Sequence, residues 1–153
     1  MLGIARARGV ADNLTFVEGD ALDITPQLGP FDCVVTIGTF HHLPQDAAAA
    51  CLKAAVAPGG ILILHDLWRV GAPGDRLLDG VRLPIKALRL LQLGAPLIHT
   101  PGERAAWREH ARDDVHLTMR EVETLRHRHF PLATLHKHFL WRYTLVWRNP
   151  PLS

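Results

Sequence analysis

Three short polar groupings in this chain could do chemistry. His41-His42 stands in a loop after an apolar run, and imidazole titrates near neutrality. Either histidine is therefore able to take a proton from an oxygen or nitrogen nucleophile. The plainer alternative is that one packs against a ligand and the other is structural. His65-Asp66 sets an imidazole beside a carboxylate at the end of a second apolar run, either facing a ligand or merely closing a strand. Gly19-Asp20-Ala21 follows a third run, and there a carboxylate can accept hydrogen bonds from a ligand or cap its own backbone.

The elements that must position these groups are legible around them. Residues 31–37, Phe-Asp-Cys-Val-Val-Thr-Ile, form a β-branched run of strand length. The loop 38–43 follows, and Pro44 opens a helix in which Cys51, Leu52, Ala55 and Val56 recur at helical spacing. Pro58-Gly59-Gly60 should stop that helix before a second apolar strand, Ile61-Leu62-Ile63-Leu64. Two such strands around a helix predict a βαβ unit in a parallel sheet, buried on both faces. Ligands of open parallel sheets bind at the carboxyl ends of the strands, so residues 36–42 and His65-Asp66 should share one rim.

With these elements in order, the chain resembles the class I S-adenosylmethionine-dependent methyltransferases. Phe31 to Leu43, with Ala57-Pro58-Gly59-Gly60-Ile61-Leu62-Ile63-Leu64, resembles the fourth and fifth strands of that family. Leu14-Thr15-Phe16-Val17-Glu18-Gly19-Asp20-Ala21 resembles its third strand and acidic loop, and Arg142-Tyr143-Thr144-Leu145-Val146-Trp147 its last, antiparallel strand. The resemblance implies a Rossmann-like α/β fold with strands in the order three, two, one, four, five, seven, six. It implies S-adenosylmethionine as cofactor and a small-molecule methyl acceptor. Gly19, Asp20 and Ala21 would meet the adenine edge, the Asp20 carboxylate accepting from the exocyclic amine and the Ala21 amide donating to a ring nitrogen. Thr36, Ile37 and Gly38 would face the methionine part. His41 and His42 are the candidate catalytic pair, and His65 and Asp66 would border the acceptor. No metal is implied.

The departures from that pattern matter equally. The family's first strand with its Gly-rich loop, and its second strand, find no counterpart in this sequence, because Pro58-Gly59-Gly60 precedes a strand instead of following one. The expectation is a truncated domain spanning 1–153, in which Leu14 to Glu18 pairs directly with the Phe31 strand. Failing that, sheet edges stand open and invite pairing between copies or with a partner chain. The alternative function is a non-catalytic methyltransferase-like remnant that has lost cofactor binding and acts, if at all, as a partner subunit. A nicotinamide enzyme is a poorer third reading, since it too needs the missing loop.

The remaining features bound the class. At 153 residues and a formal charge of +2, the chain makes one domain without the basic excess that nucleic-acid binding requires. It contains no run of about 20 apolar residues and no signal-peptide pattern, so a cytoplasmic protein is expected, with no membrane partner. Cys33 and Cys51 read as buried reduced thiols. Residues 1–8 have helix-forming composition, and 24–30, with two prolines, read as a loop. Residues 67–114 read as a helical insertion after the fifth family strand, serving as a substrate cap. Its 76–93 stretch of leucines and basic residues is an amphipathic helix, broken near Pro84, that covers a pocket or touches a surface. Thr118-Met119-Arg120-Glu121 is a capping box opening a helix to about His127. Residues 132–137 and 141–148 are expected to form an antiparallel edge pair, with Trp141, Tyr143 and Trp147 on one face as core or interface. His136 and His138 lack a third ligand of matching spacing, and Asn149-Pro150-Pro151 reads as a disordered tail.

Overall fold

The computed structural model describes residues 11–71 and 115–151 continuously, with isolated positions between 80 and 102. The expected helix at 1–8 and most of the insertion at 67–114 lie outside the described residues. The described positions from 80 to 92 are helical, Pro84 included.

The sheet is mixed. Strand β1 (Phe31–Ile37) runs parallel to β2 (Val56–Arg69), β5 (Arg142–Arg148) lies antiparallel on the other side of β2, and β4 (Thr134–Lys137) pairs with β5 at the far edge. A two-residue strand, β3 (Leu117–Thr118), joins the end of β2 at Trp68 and Arg69. The order β1-β2-β5-β4 is the one the resemblance implies for family strands four, five, seven and six.

Alternation along the strands sorts their two faces. Leu62, Leu64, Asp66 and Trp68 on β2 and Tyr143, Leu145 and Trp147 on β5 are buried on one face. Helices α2 (Gln45–Ala55) and α3 (Met119–His129) supply the other half of this core through Ala48, Ala49, Val122 and Leu125, with Phe130 packed against Trp147. Thr118 caps α3, and the reciprocal bonds with Glu121 complete the expected capping box. On the opposite face Val35 is 53% and Ile37 66% exposed, so β1 is not buried on both faces as its composition suggested. Cys33 shares that face and is exposed, correcting its reading as a buried thiol.

Several local expectations change. Residues 24–30 are not a loop: α1 (Ala21–Leu28) is a helix capped by Asp20, whose carboxylate accepts from the Leu22 amide at 2.8 Å. Pro26 lies inside it and has no N–H to give the Leu22 carbonyl, four residues back. The Cys51 thiol donates to that carbonyl instead, at 3.8 Å, and burial and the nearby Asp20 charge keep the thiol protonated. Leu14 to Glu18 does not pair with β1. Leu14 and Val17 remain about half exposed, and so short a run buries too little to offset the entropy of ordering it as an edge strand. Among the described residues the outer edge of β1 has no partner.

Helix α2 ends at Ala55, ahead of Pro58, because Val56 already pairs with Phe31. Residues 57–60 then form a bulge inside β2, and a side chain at Gly60 would meet the Asp32 carbonyl at 2.8 Å. Asn149 ties this bulge to the end of β5. Its side chain donates to the Val56 carbonyl at 2.8 Å, and its backbone exchanges bonds with Gly59 and Gly60, so it is no disordered tail. The turn between β4 and β5, which lacks Gly and Pro, is closed by Trp141 in the left-handed region at φ 51°.

Candidate functional site

The carboxyl end of β1 leads through Gly38 (φ 60°) into a 3-10 turn, Phe40–His42. The Gly38 amide donates to the His65 carbonyl at 2.9 Å, which locks the ends of β1 and β2 side by side. The expected rim therefore exists, but its residues divide between the two sheet faces.

Asp66 faces the helix-covered side and is 1% exposed. One carboxylate oxygen lies 2.6 Å from His41 Nδ1 and also accepts from the Leu67 amide at 2.7 Å; the other accepts from the His41 amide at 2.8 Å. His41 is itself buried, at 6% exposure, with the rings of His42 and His116 at 4.0 and 4.6 Å. A buried carboxylate satisfied in this way fixes the imidazole's position and favours the tautomer with its proton on Nδ1. His42 is exposed beside it. The two catalytic candidates thus differ sharply in surroundings, and Asp66 reaches the rim only by way of His41.

His65 points to the opposite face, where burial and then the neighbouring positive Arg142 and His138 hold its pKa below the usual imidazole range. Its Nδ1 lies 2.8 Å from Thr144 Oγ1, and His138 Nε2 lies 2.7 Å from the same hydroxyl. Sequence reasoning missed Thr144, Arg142 and His138 as a group. The signal was available in the alternation of β5, which sets Thr144 opposite the face of Tyr143, Leu145 and Trp147.

Ala21, Thr36 and Ile37 meet at one place. They line a cleft of about 400 Å³ together with Thr25, Thr39 and Leu43. The cleft runs along β1 toward its carboxyl end. Asp20 stands exposed at the adjoining start of α1 with one carboxylate oxygen committed to the Leu22 amide, and the Ala21 amide belongs to the first turn, where helix donors have no intrahelical partner. Gly19 takes φ 154°, the backbone freedom that brings the chain into this cap.

A family model described as a methyltransferase domain matches residues 1–60, the span that holds Asp20, Ala21, the whole of β1 and His41-His42. This bears out the methyltransferase resemblance read from the sequence, and the mixed sheet is compatible with the fold of those enzymes. An uncharacterized protein of Synechococcus sp. (strain ATCC 27144 / PCC 6301 / SAUG 1402/1) is 38% identical over 96 residues, which cover 60% of this chain and 22% of that protein. The chain therefore spans about a fifth of the length of the curated relative it matches. Among the described residues no helix is long and apolar enough to cross a membrane.

Proposed function

We propose that this chain transfers a methyl group from S-adenosylmethionine to a small-molecule acceptor. The observation that carries the reading is the meeting of Ala21, Thr36 and Ile37 on one cleft at the carboxyl end of β1. The chemistry of the donor set fits the adenine end of the cofactor: Asp20 has a carboxylate oxygen to spare for an exocyclic amine, and the Ala21 amide can donate to a ring nitrogen. The β1 end, Thr36 to Gly38, would border the methionine part. When bound, the cofactor supplies an electrophilic methyl on a sulfonium. The protein's part is chiefly to hold the acceptor in line with it, because such a displacement depends on positioning. His42 and His65 are the candidate acceptors of a proton, with His41, beside His42, held by Asp66.

A second reading draws on the unpartnered outer edge of β1 among the described residues, along which the cleft lies open. On that reading the chain keeps a methyltransferase-like core without binding the cofactor.

Calorimetric titration with S-adenosylmethionine and S-adenosylhomocysteine separates the two. The first reading expects micromolar binding that weakens about tenfold, or about 1.4 kcal/mol, in Asp20→Ser. Serine keeps the helix cap, so the loss reports the carboxylate's contact with the ligand and not an unfolded α1. A folded chain that binds neither compound favours the second reading.

A further inference from the structure

We propose that His65, Thr144 and His138 form a proton relay from the rim of the sheet to solvent, and that the methyl acceptor is accordingly a neutral O–H or N–H nucleophile. The direction of the chain follows from its donors and acceptors. Arg142 can only donate, and its guanidinium lies 3.5 Å from His65 Nε2, so that nitrogen carries a lone pair and the ring proton sits on Nδ1. His65 Nδ1–H then donates to Thr144 Oγ1 at 2.8 Å. The single hydroxyl proton of Thr144 is left to donate to His138 Nε2 at 2.7 Å, which places the His138 proton on Nδ1. His65 is half-buried beside the β1 end, in register with Ile37, whereas His138 is exposed. The chain therefore leads from the carboxyl end of β1 outward.

The proposal rests on the methyl-transfer reading for its use. Methylation of a neutral acceptor forms a bond from oxygen or nitrogen to the methyl carbon and breaks the carbon–sulfur bond, leaving a surplus proton on the product. That proton passes to His65 Nε2, which the exposed Arg142 yields at the long limit of its contact. The Nδ1 proton moves to Thr144 Oγ1, the hydroxyl proton moves to His138 Nε2, and His138 releases its Nδ1 proton to water. Flips of the His65 and His138 rings, with rotation of the Thr144 hydroxyl back toward His138, reset the chain. The charges around it suit this traffic. Arg142 on β5 and His138 after β4 oppose a lasting charge on His65, Asp66 on β2 favours one weakly from the other face, and His136 on β4 is the cross-strand partner of Thr144.

The test is imidazole nitrogen NMR of the full chain across the neutral pH range, for the native protein and for Thr144→Val, Thr144→Ser and His138→Gln. The expected result is the Nδ1–H tautomer at both His65 and His138, lost at His138 in Thr144→Val, which removes the donor to its Nε2, and restored in Thr144→Ser. His138→Gln should raise the His65 midpoint, since a positive neighbour is removed. An Nε2–H tautomer at His65, or titration unchanged in both Thr144→Val and His138→Gln, overturns the relay. The spectra need no cofactor, so they decide the relay separately from the calorimetry. Correct tautomers in a folded chain that binds no cofactor would overturn the methyl-transfer reading, and with it the relay's use, while leaving the hydrogen-bonded chain itself in place.

Discussion

At Asp66 a single buried carboxylate closes bonds to the His41 ring and the His41 amide, both buried, and to the part-buried Leu67 amide. Removing one partner of such a buried pair leaves the others without their acceptor, which costs about 3–5 kcal/mol. Asp66→Ala should lower the urea-unfolding free energy by that order, and a loss below about 1 kcal/mol would contradict the role given to this carboxylate. The pair joins residues 25 apart in sequence, and neither partner announces the other. Yet the burial of Asp66 was legible in part. Counting by twos from Leu62 through Leu64 reaches Asp66 and Trp68, which a strand must present to one face. Reading His65-Asp66 as a unit hid that alternation, and the two side chains belong to opposite sides of the sheet. Thr36 and Ile37 line the cleft by their backbone position at a strand end, which a sequence can state without regard to side-chain identity.

Elements with strong local chemistry were the most legible. The capping box at Thr118 and Glu121 needs only four residues, and the helix it opens ends at His129, two residues past the expected position. The Thr118 amide and then its hydroxyl hold the Glu121 carboxyl below the ordinary glutamate value of 4.5. The unfolded chain thus binds the proton more tightly than the folded one. The stabilisation is present above about 4.5 and is lost as pH falls through the lowered folded value. Thr118→Ala should cost about 1 kcal/mol at neutral pH and make the acid loss of stability shallower, as thermal melts from pH 7 down to 3 will read. Helix α1 was missed because two prolines read as a loop; the Asp20 cap and the Cys51 thiol, which takes up the carbonyl that Pro26 leaves, are what permit it. The Pro-Gly-Gly segment was misplaced for a different reason. It marks a bulge within β2, whose anchor, Asn149, lies at the far end of the described chain.

For the molecule as a whole, the order of strands followed the family pattern, but the covering of the sheet did not follow from composition. Val35 and Ile37 are as apolar as any core strand requires, and both are exposed in the described structure. Nothing in a β-branched run states whether a second layer covers it, because burial depends on what packs there. An exposed apolar face beside an unpaired edge favours association. Replacing Val35 and Ile37 together by serine should reduce binding of a hydrophobic dye and concentration-dependent association, with a melting temperature changed by no more than a few degrees. Unchanged dye binding would mean that this face is already covered in solution.

The central claim is that the cleft beside β1 receives the cofactor, and the most direct measurement is amide NMR of the chain titrated with S-adenosylhomocysteine. The account predicts saturable shifts concentrated at Asp20 and Ala21 and at Thr36 through Gly38, with α3 and β4 unmoved. Saturable shifts confined to other parts of the sheet, or none at all in a folded sample, would contradict it.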